Sequence, residues 1–441
     1  MGKRKKQAAT TVLCCAGIAL LMMATSYSTP TSSLISEPVD TPLGSLSVQP
    51  TNPIPGVPYV SQETEFFCMY ASTAIVFQYY GRDTSLSDIL FGTGVGYSSL
   101  HADGSPYIIA GYVLSQSLNN LRFLAGLYAL NFSVSYPVNN SQTEPNWQQY
   151  WSSVKQNISN GVPVITSVDW LDMPSIRDQK NLPEQVWEKV ADSGHAIVIV
   201  GYNETNQTVC YNDPYAELWG QASYGYYAWM STGELRTAVS DTPATKYLVI
   251  AFTNTSASWS KNEVFSKAHH RNLERLRGNF SAFGVSESNV SGAELGVRAV
   301  QAFQNDFSKG ASHRLRTIFF YKLNGRLIKR YDNQLFLTFL RYRIQASSYQ
   351  MLFATENEYD RIGIEKKYTA NYLKNSGGSE NITEGTLFDN EAKYWDSFSS
   401  SYDVFLKRGL LLSLPRALWL TRQMRTVLGE IQSTEEQILS S

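Results

Sequence analysis

Cys68 begins a stretch whose residue spacing predicts a helix. Apolar residues recur at helical intervals through 71–79, and Gly81 suits the position just after a helix C-terminus. A largely polar segment, 61–67, precedes the cysteine, so Cys68 is predicted to lie at the helix N-terminus. Unpaired backbone N–H groups and the helix dipole favour a thiolate there. The stretch therefore indicates a cysteine nucleophile.

Gln62 lies six residues before this cysteine. Its side-chain N–H is placed to reach an oxyanion beside the sulfur, together with the backbone N–H of Cys68. One such donor typically lowers the barrier by ~3 kcal/mol. The two residues predict a nucleophile with its oxyanion hole, and the rest of the chain must supply a base.

Two predicted strands supply the base and a group that orients it. Residues 194–202 and 208–214 form a predicted hairpin, and a turn centred near Glu204 places His195 opposite Asp213. A histidine titrates near neutral pH and would take the thiol proton. The aspartate would fix the histidine tautomer and stabilise the imidazolium. The hairpin therefore predicts a Cys-His-Asp triad suited to acyl transfer.

Cys210 is the other cysteine beyond the N-terminal segment, because Cys14 and Cys15 lie within it. Cys210 is an odd number of positions from Asp213, so it is predicted to point to the opposite face of its strand, into the core. A disulfide with Cys68 is possible on counting alone, but this orientation argues against it. Four cysteines in this pattern do not form a disulfide scaffold.

Five short motifs surround these residues: Val57-Pro58-Tyr59-Val60-Ser61-Gln62, Cys68 followed by Ala71-Ser72 and Tyr79-Tyr80-Gly81, Gly161-Val162-Pro163-Val164, Gly194-His195-Ala196-Ile197-Val198-Ile199-Val200-Gly201-Tyr202, and Asn212-Asp213-Pro214-Tyr215. Together they resemble the papain-like cysteine peptidases. More narrowly, they are similar to the bacteriocin-processing, double-glycine-leader peptidases and their stand-alone relatives. The resemblance covers about residues 55–253.

The resemblance implies an α+β fold in which an N-terminal helix carries the cysteine and an antiparallel sheet carries the histidine and aspartate. It assigns the oxyanion hole to Gln62, the nucleophile to Cys68, the base to His195 and the orienting carboxylate to Asp213. It implies a peptide or protein substrate. A mainly α-helical C-terminal domain is predicted to follow this fold.

Met69 and Tyr70 depart from the family pattern, which often has Gly, or Gly-Pro, directly after the cysteine. Bulkier residues there are expected to reshape the cleft. The chain also lacks the transmembrane bundle and ATPase of the leader-processing exporters, so a role in bacteriocin export is not expected.

The hypothesis that follows is an exported cysteine peptidase or amidase. Two alternatives stay open. One is an acyltransferase or transglutaminase-like enzyme on the same triad, and the other is a catalytically inactive papain-like binding module. Neither a phosphate-binding Gly-rich loop nor a metal-type Cys or His spacing occurs, so no cofactor is predicted. His269 and His270 are adjacent and are expected to be exposed to solvent rather than to hold a metal.

Charge is distributed unevenly along the 441 residues, although the formal net charge is −1. Residues 52–257 carry 8 Lys/Arg and 17 Asp/Glu, a net of −9, whereas residues 261–343 carry 15 and 6, a net of +9. Opposite charges suggest docking between the two parts, or a basic face for an anionic surface or membrane. A solvated basic helical face is the simpler interpretation, and no nucleic-acid partner is expected.

The N-terminus reads as an export signal. Residues 1–26 combine Lys and Arg residues, an apolar run and a small-residue cleavage site, which indicates a signal peptide or signal anchor. Residues 27–54 are rich in Ser, Thr and Pro and predict an extended linker. Nine Asn-x-Ser/Thr sequons fit an exported glycoprotein. The predicted location is extracytoplasmic, either secreted or anchored to the membrane.

The chain is divided at residue 257, with a peptidase-like domain over 55–256 and a helical domain of unknown role over 257–441. Helices are predicted at 85–90, 105–129, 147–159, 232–240, 261–277, 293–307, 312–323, 326–344, 387–406 and 415–439. Ser231, followed three residues later by Glu234, is predicted to be the N-cap of the helix at 232–240. Strands outside the hairpin are predicted at 132–135, 162–168, 224–229 and 246–253, and a polar loop is predicted at 375–385.

Overall fold

The computed structural model describes residues 53–64, 66–102, 108–111, 115, 118–135, 147–174, 194–219, 222–242, 246–283, 293–305, 358–408 and 414–441. The predicted signal segment and nearly all of the predicted linker lie outside these residues. So do the helices predicted within 312–344.

The longer helices of the described residues are, in chain order, α1 (Cys68–Tyr79), α2 (Leu86–Thr93), α3 (Leu118–Leu127), α4 (Trp147–Ser159), α5 (Thr232–Asp241), α6 (Lys261–Leu276), α7 (297–305), α8 (Glu358–Ser376), α9 (Ser379–Arg408) and α10 (Leu414–Ser440). Two single-turn 3₁₀ helices, Ala216–Trp219 and Ala222–Tyr224, follow the hairpin segment 194–214 in the chain.

The strands are β1 (Ser99–Ala102), β2 (Ile109–Ala110), β3 (Leu130–Ser135), β4 (Val164–Asp169), β5 (Gly194–Asn203), β6 (Thr208–Asn212), β7 (Ala228–Ser231), β8 (Val249–Asn254) and β9 (Ala293–Leu295). Six of them form one antiparallel sheet in the order β3-β8-β4-β5-β6-β7. The other three form a small antiparallel sheet in the order β2-β1-β9.

The central strands of the large sheet are apolar because both of their faces are covered. Every residue of β4 is buried, and β5 is buried except at its two ends. Helices α1 and α4 pack against β5, and α5 packs against β4. Strands covered on both faces read as continuous apolar runs rather than alternating ones. This packing places the start of α1 and the start of β5 at the same part of the fold.

Helix α1 near the start, an antiparallel sheet after it and a helical C-terminal region together make the α+β fold that the resemblance implies. Local patterns predicted several elements well. The bounds of α4 agree with the prediction, and Ser231 caps α5 through a reciprocal capping box with Glu234. Gly81 follows α1 with φ +73°, as its position predicted.

The single long helix predicted over 105–129 is wrong. Part of it, Ile109–Ala110, is strand β2, whereas Gly111, Ser115 and the residues of α3 are helical. The start of the helix predicted at 293–307 is likewise strand β9, and only 297–305 is helical. Strand β1 pairs with both segments, and the partner β9 lies almost 200 residues further along the chain. The local spacing of apolar residues contains no information about a strand partner so far away in the chain.

Two further boundaries differ from the prediction. The predicted loop 375–385 contains the first two turns of α9, and α8, which was not predicted, ends at Ser376. The strand predicted at 224–229 is shorter and later, at β7. Within α9, Glu384 accepts hydrogen bonds from Tyr97 and His269 in distant elements, so tertiary contacts support a polar helical turn.

The basic helix α6 contacts the acidic part of the chain. Lys261 lies 3.5 Å from both Asp83 and Asp88, and the buried Arg275 donates to Asn120 Oδ1 at 2.7 Å. These contacts agree with docking between the two oppositely charged parts. The rest of the basic region, from residue 306 to 343, lies outside the described residues. His269 is half-buried against Glu384, so the prediction that it is solvent-exposed is wrong for this residue.

The C-terminal helices share a hydrophobic cluster with the sheet. Ile197 of β5, Trp395 of α9 and Leu428 of α10 belong to one continuous set of buried residues. Of the helices that the structure describes, none is both long enough and apolar enough to cross a membrane.

Candidate active site

Cys68 is the first residue of α1 and is partly accessible to solvent. The preceding Phe67 is fully buried and supplies no side-chain cap, and the first turn contains no acidic residue. The first N–H groups of the helix are therefore not taken by a capping side chain. Such groups stabilise negative charge on a sulfur at that position. The predicted position of Cys68 at a helix N-terminus is confirmed.

Ser72, one turn further along α1, ties the helix to the strand that carries the histidine. Its Oγ donates to the carbonyl oxygen of Ala196 at 3.2 Å, and both residues are buried. Ala196 directly follows His195 in β5. The hydrogen bond therefore fixes the distance between the start of α1 and the start of β5.

His195 and Asp213 are buried together, with His195 Nε2 2.7 Å from Asp213 Oδ1. The ring of Tyr215 packs edge-on against the imidazole. Because Nε2 is held by the carboxylate, Nδ1 is the ring nitrogen left for the cysteine. His195 also forms a hydrogen bond with the Cys68 side chain. The structure thus brings Cys68, His195 and Asp213 together.

The hairpin reaches this contact by a different register from the predicted one. The β5–β6 pairing shifts between Ile199 and Gly201, and beyond the shift Val198 pairs with Asn212. Asp213 therefore lies just past the end of β6 and is not the cross-strand neighbour of His195. The predicted register is wrong because the turn is centred between residues 205 and 206 rather than near Glu204: Asn203 pairs with Thr208 next to the turn. The β-bulge then shifts the pairing back by one residue, which is too little to bring His195 opposite Asp213.

The turn after β6 holds the Asp213 carboxylate in place. Its Oδ1 accepts a second hydrogen bond, from the Tyr215 backbone N–H at 2.9 Å, and the Asp213 N–H donates to the Gly225 carbonyl at 2.7 Å. At Gly225 a Cβ would collide with the Asp213 carbonyl oxygen and with Ala216 Cβ. Glycine is thus the residue that lets the two chain segments approach.

The environment of His195 raises its pKa to about 10. Burial by itself lowers the pKa, but the charge and hydrogen bond of Asp213 and the interaction with Cys68 outweigh it. The charged imidazole is therefore favoured between the Asp213 carboxylate and the Cys68 side chain. A cationic imidazole beside a cysteine is an arrangement that activates the sulfur as a nucleophile.

Gln62 is fully buried beside the same turn. Its backbone N–H donates to the Pro214 carbonyl at 3.0 Å, which joins the segment before α1 to the residue after Asp213. Its side-chain Nε2 donates to the Thr64 carbonyl at 2.5 Å. This contact fixes the orientation of the amide, because the reversed amide would oppose two oxygens. Among the described residues, Gln62 Oε1 has no hydrogen-bond partner.

Sequence reasoning missed the residues that connect these segments. Asn212 accepts from the Tyr227 N–H at 2.8 Å and donates to the Pro58 carbonyl at 3.0 Å. The Tyr227 hydroxyl donates to the Ile54 carbonyl at 2.6 Å. Asn212 and Pro58 belong to the motifs that carry the resemblance, but the hydrogen bond by which they join two chain segments was not predicted. Tyr227 has no local signal in the sequence.

Cys210 and Tyr70 are both buried. Cys210 is a fully buried free thiol on β6, so it forms no disulfide with Cys68, as its position predicted. Tyr70 is fully buried and packs edge-on against Phe67. Met69 is half-buried, so it is the one of the two bulky residues after Cys68 that stays partly exposed to solvent. In the described part of the chain, no group of three or more His, Cys, Asp and Glu side chains is arranged to hold a metal.

Comparison with known proteins gives one family. Residues 54–236 match the model of the family described as Peptidase_C39 like family, and the matched segment contains all four predicted site residues. No curated protein matches the chain. The match begins where the described fold begins and ends within α5, so it covers both α1 and the hairpin. Residues 54–236 of this chain are therefore similar to the Peptidase_C39-like family, which is consistent with a papain-like cysteine peptidase.

Proposed function

We propose that this protein is an exported cysteine peptidase or amidase that cleaves peptide or amide bonds with Cys68, His195 and Asp213. The match to the Peptidase_C39-like family supports a peptidase-type function. The observation that carries the proposal is the hydrogen-bonded series from the Asp213 carboxylate through His195 to Cys68 at a helix N-terminus. A nucleophile, a base and a group that orients the base are the three parts that this chemistry needs.

In the first step the Cys68 thiolate attacks the carbonyl carbon of the substrate, and a C–S bond forms as the carbonyl electron pair moves to oxygen. The amide nitrogen of Gln62 carries two N–H bonds, and Thr64 takes one of them. The second N–H and the Cys68 backbone N–H stabilise the oxyanion. His195 then gives its proton to the leaving amine as the C–N bond breaks.

In the second step water attacks the thioester, and His195 accepts one of the water protons. The C–S bond breaks, and the acid product leaves as the thiolate is restored with its imidazolium partner. Throughout both steps Asp213 keeps the Nε2 proton on His195 and so keeps Nδ1 directed at the sulfur.

Alkylation tests the nucleophile and its base. Iodoacetamide at about pH 6–7 is expected to modify Cys68 selectively. His195→Ala is expected to slow this reaction by about tenfold or more. Cys210→Ala is the matched control, because burial raises the pKa of the Cys210 thiol to about 12 and keeps it unreactive. Equal rates for Cys68 in the parent chain and in His195→Ala would overturn the proposal.

A peptide-library digest tests the reaction itself. The full chain is expected to cleave peptides, and Cys68→Ala is expected to leave them intact. Added amines measure how the thioester is divided between water and an amine. Incorporation of the amine in preference to hydrolysis would assign an acyltransferase instead, and absence of any Cys68-dependent product would leave only the binding-module alternative.

The export part of the proposal rests mainly on residues 1–26, and the nine sequons fit it. Removal of these residues is expected to retain the protein in the cytoplasm, and cell fractionation of both forms measures this. The same distribution for both forms would contradict export.

A further inference from the structure

Glu63 follows Gln62 in the segment before α1 and has an unusual backbone conformation. Its φ is +60°, in the left-handed region that a residue with a side chain rarely adopts. Because Glu63 lies directly between Gln62 and Thr64, this conformation helps to bring the Gln62 amide to the Thr64 carbonyl. A backbone held in a sparsely populated conformation needs contacts from its surroundings.

Those contacts come from α8, in the C-terminal part of the chain. The Tyr368 hydroxyl donates to Glu63 Oε2 at 2.7 Å. The Tyr368 ring packs edge-on against Phe67, the residue that immediately precedes Cys68, with ring centroids 5.2 Å apart. The buried Arg361 guanidinium lies over the ring of Phe66 at 5.2 Å. One face of α8 therefore contacts both ends of the segment that joins Gln62 to Cys68.

Other contacts fix the position of α8 itself. Thr369 Oγ1 donates to the Val95 carbonyl at 2.8 Å. Lys366 lies within 2.6 Å of Glu391 and 3.1 Å of Glu435, in α9 and α10. A helix held by these buried contacts provides a fixed reference for the segment before Cys68.

We propose that Tyr368 is a positioning residue for the oxyanion hole, and that it acts through Glu63 on Gln62. The proposal rests on the proposed peptidase function. The hydroxyl of Tyr368 holds the Glu63 side chain, and with it the left-handed backbone that directs the Gln62 amide. The catalytic Cys68, His195 and Asp213 are held by other contacts, through Ser72 and Tyr215. Tyr368 therefore affects the oxyanion and not the ion pair.

Tyr368→Phe is the first test, since it removes the hydroxyl and keeps the ring on Phe67. We expect kcat to fall about fivefold to tenfold with KM little changed, because a misplaced oxyanion donor weakens binding of the transition state alone. The rate and pH profile of Cys68 alkylation are expected to stay unchanged. Hydrogen exchange of the backbone amides in 62–67 is expected to become faster.

Tyr372→Phe is the matched control, because it removes the same group from the same helix one turn further on. There the hydroxyl donates to Asp88 Oδ1 at 3.0 Å, and Asp88 also accepts hydrogen bonds from Ser85. Tyr372→Phe is expected to leave kcat unchanged. Glu63→Gln keeps an oxygen that accepts from Tyr368 and is expected to retain most of kcat, whereas Glu63→Ala is expected to reproduce Tyr368→Phe. The kcat of the double variant Tyr368→Phe/Glu63→Ala is expected to fall no further than that of either single variant, because the two substitutions remove the same hydrogen bond.

Three outcomes would overturn the positioning role: an unchanged kcat in Tyr368→Phe, an equal loss in Tyr372→Phe, or unchanged hydrogen exchange of 62–67 in Tyr368→Phe. The exchange measurement does not depend on turnover. Absence of Cys68-dependent turnover in the parent chain would overturn the proposed function, and the exchange measurement would then decide the structural part of this proposal separately.

Discussion

The carboxylate of Asp213 determines which protonation state of His195 the site favours. Burial alone would lower the pKa of the imidazole, yet the pKa rises to about 10 because Asp213 and Cys68 lie beside it. The same Asp213 oxygen accepts from Tyr215, so the carboxylate is fixed by the backbone as well as by the ring. A single side chain thus sets both the orientation and the charge of the proposed base.

Asp213→Asn is expected to move the alkaline limit of kcat/KM to lower pH. The proposed mechanism uses the imidazolium, and the raised pKa preserves this form up to about pH 10. Without the negative charge, the lowering effect of burial prevails, and the imidazolium loses its proton at lower pH. The measurement is kcat/KM from about pH 5 to about pH 11. An alkaline limit at the same pH in both proteins would contradict this account of His195.

Elements with local signals were predicted from the sequence, and those that depend on distant partners were not. The capping box of Ser231 and Glu234 lies within one turn and marked the start of α5. The bulge in β5–β6 was not predictable, because Pro53 packs against Gly201 and the Ile54 N–H donates to Val200 at this point. Alternation within the hairpin contains no information about that packing.

The candidate site was predicted better than the register that led to it. Cys68 at a helix start and the pairing of His195 with Asp213 follow from the motifs, and both are found. The sequence does not show that a turn, rather than a strand, carries Asp213. Nor does it show that α8 reaches Glu63, because that contact joins residues 305 positions apart.

Gly225→Ala is expected to displace the turn that carries Asp213. Its Cβ would overlap Ala216 Cβ and the carbonyl oxygen of Asp213, so the carboxylate must move relative to His195. We expect kcat to fall about tenfold or more, since small displacements of catalytic groups are costly. Steady-state kinetics measures this, with circular dichroism to verify that the fold is retained.

Gly233→Ala provides the control for this substitution. Gly233 lies in α5, and its added Cβ would make an ordinary contact, 3.7 Å from Ser231 Oγ. Alanine also favours a helix more than glycine does. The control is therefore expected to keep full activity. A similar loss in both variants would show that the turn at Asp213 is not specifically affected.

At the scale of the whole molecule, a buried cluster of charges joins the three C-terminal helices. Lys366 of α8 lies between Glu391 of α9 and Glu435 of α10, and all three side chains are buried. Burial raises the pKa of Glu391 to about 8, although Lys366 opposes this shift. Removal of one member leaves uncompensated charge in a site without access to water.

Lys366→Met is expected to lower the free energy of unfolding by about 3 kcal/mol, because it leaves two buried carboxylates without their cation. Lys367→Met is the matched control on the next residue. Its side chain is 48% exposed and pairs with Asp396 at the surface, whereas the Lys366 side chain is 3% exposed. The control is expected to change stability by less than about 1 kcal/mol. Urea denaturation compares the two, and equal losses would contradict the importance of burial.

The contact between Glu63 and Tyr368 also bears on the order of events during synthesis. A ribosome makes the segments with Cys68, His195 and Asp213 long before it reaches α8, because Tyr368 comes 305 residues after its partner. A nascent chain that has released only the first of these regions contains Cys68, His195 and Asp213 but not the α8 contact with Glu63. Under the proposed positioning role of Tyr368, we expect turnover by such a chain to stay about fivefold to tenfold lower until α8 has emerged and packed.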